Sequence, residues 1–207
     1  MKEKTNEEQL ILGQDTSFFE EVFKENLEER VILLNDEINE SVIEKVVMNI
    51  IKFNREDKDL QISKRKPIKI YINSVGGGVF DGGAVVSAVE ASRTPVQTIV
   101  LGYACSMGLQ IFVSGHERIA LGKNSTLLLH DGSLSIGTSN KKAKETIKFY
   151  DKMDERAKQL ILSRTKMTEE EYDGLYGEEY WFFADEGKEK GFVDKIVGVD
   201  VDIDYIL

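Results

Sequence analysis

Val96-Gln97-Thr98-Ile99-Val100-Leu101-Gly102-Tyr103-Ala104-Cys105-Ser106-Met107-Gly108-Leu109-Gln110-Ile111-Phe112-Val113-Ser114-Gly115 is the stretch on which the reading of this chain turns. Its first six residues are largely β-branched and apolar, follow Pro95, and read as a buried strand. Leu109 to Val113, closed by Ser114-Gly115, reads as a short buried helix with a glycine stop. Between them lies a turn of small residues around Ser106. A serine at a strand-to-helix turn can project its hydroxyl from a tight bend. The Met107 amide then falls at a helix N-terminus, where unpaired N–H groups and the helix dipole stabilise negative charge. Two roles fit the position: a nucleophile, or a helix N-cap.

Working outward, the composition narrows the classes. With 207 residues, 41% hydrophobic and 31% charged, the chain has the length and apolar content of one globular domain with a real core. A net charge of −10 lacks the basic footprint that nucleic-acid binding requires. No apolar run reaches membrane-span length, and the charged start, Met1 to Glu8, lacks a signal-peptide core. The single cysteine, Cys105, rules out an internal disulfide and fits a reducing, cytoplasmic setting. Two histidines, His116 and His130, with no Cys/His cluster argue against a zinc site, so no metal and no cofactor is expected.

Alternating strands and helices flank the central stretch and predict an α/β domain with a mostly parallel sheet. Residues 1–15 are polar and expected to be mobile. Phe18, Phe19, Val22, Phe23 and Leu27 recur at helical spacing. Val31-Ile32-Leu33-Leu34 reads as a strand. Asn39 then caps a helix that places Val42, Ile43, Val46, Val47, Ile50 and Ile51 on one face. Residues 54–66 read as a charged surface loop, with Lys64-Arg65-Lys66 solvated. Ile68 to Ile72 is a strand that runs into Asn73-Ser74-Val75-Gly76-Gly77-Gly78, and a helix covers residues 80–92. That glycine loop matches neither GxGxxG nor a P-loop. Its other use is a backbone edge that holds a peptide or an oxyanion.

Beyond Gly115, residues 117–121 and 126–130 read as strands, with His116 on the surface and His130 closing the second. Residues 132–140 read as an edge strand or loop. Residues 141–164 form a long helix whose stripe is Ala143, Ile147, Tyr150, Met153, Ala157, Leu160 and Ile161, long enough to project and pair with another subunit. Thr168-Glu169-Glu170-Glu171 is a capping box. The aromatic run Tyr180-Trp181-Phe182-Phe183 reads as core. Asp185 begins a helical turn, and residues 191–197 hold the last strand.

Serine catalysis ordinarily joins a hydroxyl, a histidine that takes its proton and a carboxylate that orients the histidine. Ser106, His130 and several later carboxylates supply these types in order. With Glu29 to Leu34, Tyr71-Ile72-Asn73-Ser74, Gly76-Gly77, Gly102 to Gly108, Leu128-Leu129-His130, Ala184-Asp185-Glu186 and Gly191-Phe192-Val193-Asp194, the chain resembles the ClpP family of Clp-protease proteolytic subunits over residues 28–197.

The resemblance implies the ClpP/crotonase-like superhelix of βα units, with residues 28–207 as the peptidase domain and 141–164 as a protruding handle. It implies an N-terminal segment, residues 1–27, near an axial entrance. It also implies a serine endopeptidase with Ser106 as nucleophile and His130 as base. Gly77 and Met107 would form the oxyanion hole, and Gly76, Gly78 and Val79 would bind substrate backbone. Expected partners are copies of the chain in stacked rings, a peptide or unfolded protein substrate, and an AAA+ unfoldase.

The family's orienting aspartate is Glu179 here; Glu178 and Asp173 are the other candidates, while Asp131 should face away from His130. Further departures are Val75 for the loop proline, the extra Gly78, Gly132 after the histidine, and the long stretch 54–66, which point to a divergent or phage-type branch. Cys105 reads as a small buried hydrophobe. The other classes to weigh are a catalytically silent ring subunit and a crotonase-type acyl-CoA enzyme.

Overall fold

The computed structural model describes residues 18–132, 137–175 and 177–207. The readings of residues 1–15, of the Phe18 and Phe19 side chains, and of residues 133–136 lie outside this set. The chain runs α1 (Phe18–Glu28), β1 (Val31–Leu34), a π-helical turn (Ile43–Val47) leading into α2 (Met48–Glu56), β2 (Ile68–Ser74), α3 (Val79–Ala91) and β3 (Val96–Cys105). It continues with α4 (Met107–Ser114), β4 (Glu117–Ala120), β5 (Thr126–His130), α5 (Asn140–Arg164), α6 (Glu169–Asp173), β6 (Glu179–Phe183), α7 (Ala184–Glu189) and β7 (Lys195–Ile196).

One sheet carries the fold. Its parallel path is β1-β2-β3-β4-β7, with β5 parallel to β3 and β6 antiparallel to β5 at the edge. Parallel neighbours need crossover connections, which the helices supply. β3 is the longest strand, and it serves two neighbours in succession. Its first half pairs β4 from Gln97↔Glu117 to Val100↔Ala120. Its second half pairs β5 through Tyr103↔Thr126, Ala104↔Leu127 and Cys105↔Leu128.

The core fills the space between this sheet and the helices on it. α4 is its centre: every residue of α4 except Gln110 is buried. Burying side chains such as Phe112 and Ile111 contributes roughly 1.5–3 kcal/mol each. Asn39 caps its helix as expected, its side chain accepting from the Ser41 N–H at 2.9 Å. The buried face there is Val42, Val46, Ile50 and Phe53, whereas Ile51 is exposed, because a stripe spaced four, four and three residues apart turns the next residue after Ile50 away from the sheet. In α1 the docked residue is Leu27, and Phe23 is exposed.

Three further expectations are corrected. Residues 54–66 are not a solvated loop: α2 runs to Glu56, and Asp57 and Arg65 are buried. The Arg30 guanidinium donates to both Asp57 carboxylate oxygens (2.6 and 2.8 Å), Thr94 Oγ1 donates to Asp57 (2.9 Å), and Arg65 donates to Thr94 Oγ1 (3.2 Å). Buried charges must be paired in this way.

The aromatic run 180–183 is not all core. As an edge strand it alternates, with Phe182 buried and Trp181 and Phe183 both exposed. Finally, of the 25 residues of α5 only Leu160 and Ile161 are buried, while Ile147 and Phe149 are exposed. Only the C-terminal end of the predicted stripe is therefore core. The middle of α5 is tied down by Phe80, whose ring stacks on Phe149 (6.2 Å between centroids) and meets Tyr150 edge-on (6.1 Å).

Candidate active site

β3 runs straight into Ser106, which has φ 54° and ψ −122° before α4 begins. Left-handed φ is uncommon for a residue with a Cβ and costs on the order of 1–3 kcal/mol, so it persists only where the surroundings over-determine it. They do here. The Ser106 N–H donates to the Leu128 carbonyl of β5 (3.0 Å), and its own carbonyl accepts from Leu109 (3.0 Å) and Gln110 (3.2 Å) in the first turn of α4. The Ser106 side chain makes no capping bond, so the N-cap role falls away and Oγ is left for other work.

The glycine loop lies against this turn. A Cβ on Gly76, at φ 97°, would sit 2.7 Å from both the Cys105 carbonyl and Ser106 Cβ. Only glycine permits that approach. The loop is fixed from its other side by Ile38, whose N–H donates to the Gly76 carbonyl (2.8 Å) and whose carbonyl accepts from Gly78 (2.7 Å). In this parallel bridge Gly77, between the two bonded positions, directs its own N–H and C=O to the opposite edge. The expected substrate edge is therefore narrowed. The Gly76 carbonyl and the Gly78 N–H are already occupied, and Val79 opens α3, which leaves Gly77 as the free rung. The Met107 amide heads α4, outside its i→i−4 ladder.

Ser106, Met107, Val79 and His130 line one cavity of about 300 Å³ between the end of the sheet and α5. His130 closes β5, and its Nε2 is buried with no hydrogen-bond partner among the described residues. The antiparallel register sets His130 directly opposite Glu179 on β6. Directly opposed side chains emerge on one face with Cβ atoms about 5 Å apart. Glu179 Oε2 accepts from the Trp181 indole N–H (3.0 Å).

The other carboxylates differ. Glu178 precedes β6, one residue off the register of His130. Asp173 is held by Lys158 (2.7 Å). Asp131 was expected to face away from His130, but β5 ends at His130, the alternation stops there, and Asp131 lines the same cavity.

Burial pushes the Cys105 thiol up, so the residue beside Ser106 is a packed thiol rather than a rival thiolate. His116 is exposed as expected, and its Nδ1 accepts from the Val96 N–H (2.9 Å). Burial, then Asp151 and Asp131, raise the Asp154 carboxyl. Asp151, Asp154 and Glu155 on α5, none of which the sequence singles out, also line the cavity. Their spacing with Lys158, i, i+3, i+4 and i+7, marks one helix face and was the available signal. No group of three or more metal-ligating side chains occurs among the described residues, and none of their helices is long and apolar enough to cross a membrane.

Comparison with known proteins places these features in a lineage. A family model described as Clp protease matches residues 14–200. The ATP-dependent Clp protease proteolytic subunit 2 of Tropheryma whipplei (strain Twist) is 29% identical over 176 residues, 84% of this chain and 94% of the relative. The same subunit of Corynebacterium glutamicum is 32% identical over 184 residues, 87% of each chain. A solved ClpP1 mutant from Listeria monocytogenes matches with a TM-score of 0.74 at 22% identity, covering 90% of this chain and 99% of that one, which establishes a shared fold.

Proposed function

The chain belongs to the Clp protease family, and from that premise we propose that it is a serine endopeptidase with Ser106 as nucleophile, His130 as general base and Glu179 as orienting acid. The observation that carries the reading is Ser106 itself: a serine held at left-handed φ in a β-to-α turn, its hydroxyl not used as a cap, sharing a cavity with a histidine whose Nε2 has no partner among the described residues. A purely structural serine or histidine would have closed those bonds.

In the proposed reaction Ser106 Oγ attacks the peptide carbonyl carbon while His130 Nε2 takes its proton. The carbonyl oxygen becomes an oxyanion that accepts from the Gly77 and Met107 N–H groups. His130 then returns the proton to the leaving amine, the C–N bond breaks, and an acyl-Ser106 ester remains. Water, deprotonated by His130, hydrolyses that ester. Glu179 holds the imidazole and balances its positive charge. To do so it exchanges the Trp181 indole for His130, a rotation of one side chain on an edge strand. Catalytic hydrogen bonds of this kind commonly tighten only with substrate bound.

The relatives are named as proteolytic subunits of an ATP-dependent protease. By that likeness the chain works as a homo-oligomeric ring that receives unfolded protein or peptides, fed by an AAA+ unfoldase. Labelling with a fluorophosphonate tests the reading. The native chain should label and Ser106→Ala should not. Absence of labelling in a folded, assembled native chain would instead favour a catalytically silent subunit.

A further inference from the structure

The cavity beside Ser106 has a charge character that the general reading does not use. Among its lining residues are five carboxylates, Asp131, Asp151, Asp154, Glu155 and Asp173, against one lysine, Lys158. That lysine is already spent, on Asp173 at 2.7 Å and Glu169 at 2.8 Å. Asp131, Asp151 and Asp154 form no ion pair among the described residues, and residues 133–136 carry no charge in the sequence. Arg156 lines only the neighbouring larger cavity, and it makes no ion pair with Asp154 among the described residues.

Two features other than the acids mark the cavity as a place for substrate. Ser106 lines it, and so does His130, whose buried Nε2 has no partner among the described residues. Its lining also includes the apolar side chains Met107, Leu129 and Ile161. A lining that combines apolar side chains with carboxylates suits a long side chain with a methylene stem and a cationic end.

We propose that this cavity receives the side chain of the substrate residue whose carbonyl Ser106 attacks, and that Asp154 with Asp151 and Asp131 selects lysine or arginine there. The inference rests on the peptidase reading for its register, since an acyl group on Ser106 places its side chain next to Met107. Partial burial and the neighbouring Asp151 and Asp131 hold the carboxyl of the solvent-exposed Asp154 above its ordinary range, and an incoming ammonium opposes both by favouring the charged form. A glutamate side chain would meet the same carboxylates and be refused.

The test compares two peptidyl diphenyl phosphonates that differ only in the side chain next to phosphorus, lysine or its uncharged near-isostere norleucine. Ser106 Oγ displaces phenoxide from phosphorus, so each labelled molecule reports with its side chain in register. The assembled native chain should react roughly three- to tenfold faster with the lysine probe, the range for partly exposed charge pairs acting together. Asp154→Asn should shrink that ratio towards one, and Asp154→Lys should reverse it.

Equal or faster reaction with norleucine in the native chain would overturn the proposal, as would a ratio unmoved by both variants. If neither phosphonate nor fluorophosphonate reacts, it is the peptidase reading that fails. Binding of fluorescent dipeptides ending in lysine or norleucine to Ser106→Ala then decides the subsite. A lysine preference that Asp154→Asn abolishes supports it, and no preference, or no binding, overturns it.

Discussion

The Arg30–Asp57–Thr94–Arg65 cluster and the Ser106–His130–Glu179 constellation are both assembled from residues far apart in sequence, yet they stand at opposite extremes of satisfaction. In the first, Asp57 accepts three hydrogen bonds, two from Arg30 and one from Thr94, and Thr94 in turn accepts from Arg65. In the second, Ser106 makes no capping bond, His130 Nε2 has no partner among the described residues, and Glu179 is engaged by Trp181. Closed polar networks hold a fold; a network left open at one cavity is where a fold meets a substrate. The contrast also separates backbone from side chains. At Ser106 the main chain is as tightly bonded as anything in the closed cluster, and only the atoms proposed to react are left open.

The contrast can be broken most directly at Ser106. Ser106→Ala should abolish fluorophosphonate labelling and lower peptide hydrolysis by at least about 10³-fold. Its melting temperature should stay near the native one, because Oγ makes no capping bond to α4 and no other hydrogen bond among the described residues. Asp57→Asn should do the reverse. It leaves the Arg30 guanidinium short of its counter-charge and should cost about 3 kcal/mol in denaturant unfolding, while labelling per folded molecule is retained.

The closed cluster also sets a pH dependence. The hydrogen bonds from Arg30 hold the Asp57 carboxyl below the usual carboxylate range against the opposing effect of burial, with Thr94 adding to them. The unfolded chain therefore takes up this proton at a higher pH than the folded one. The contribution is fully present above about pH 4 and is lost as pH falls through the folded value. The stability gap between native and Asp57→Asn chains, followed by melting from pH 7 to 3, should narrow below about pH 4.

Smaller effects sharpen the open site. Glu179→Gln should lower peptide hydrolysis by roughly 10²-fold, since an amide can still hold the imidazole but not balance its charge. Glu178→Gln and Asp173→Asn, each assayed in the same way, should change it by less than about twofold. A larger loss at Asp173 than at Glu179 would move the orienting role to α6.

Much of the open site was legible because it is written locally. The strand before Ser106, the glycine stop at Gly115 and the capping box at Thr168 each declare themselves within a few residues, and the structure keeps all three, with Thr168 accepting from Glu171 and Glu171 reaching back to Thr168. The parts that were not legible depend on register and tertiary partners. Asp57 and Arg65 read as solvent charge because their partners, Arg30 and Thr94, arrive from distant elements. Trp181 and Phe183 read as core because four aromatics in a row hide the period of two that an edge strand imposes. Asp151 and Asp154 look like any solvated helix face until the end of the sheet is brought beneath them. Glu179 could be counted into position from Gly191, but that it faces His130 follows only from the pairing of β5 with β6.

The divided pairing of β3 has a mechanical consequence. The strand acts as a beam with two separate loads. β4, and β7 beyond it, bear on the half from Gln97 to Val100, and β5 bears on Tyr103 to Cys105. Strain that peels the β7 edge is taken up before it reaches the bend at Ser106. Strain applied to β6 passes through β5 into the bond between Leu128 and Ser106. One edge of the sheet can thus vary with little effect on the serine, whereas a tug on the other edge is felt at its backbone, so whatever grips β6 has a lever on the proposed nucleophile.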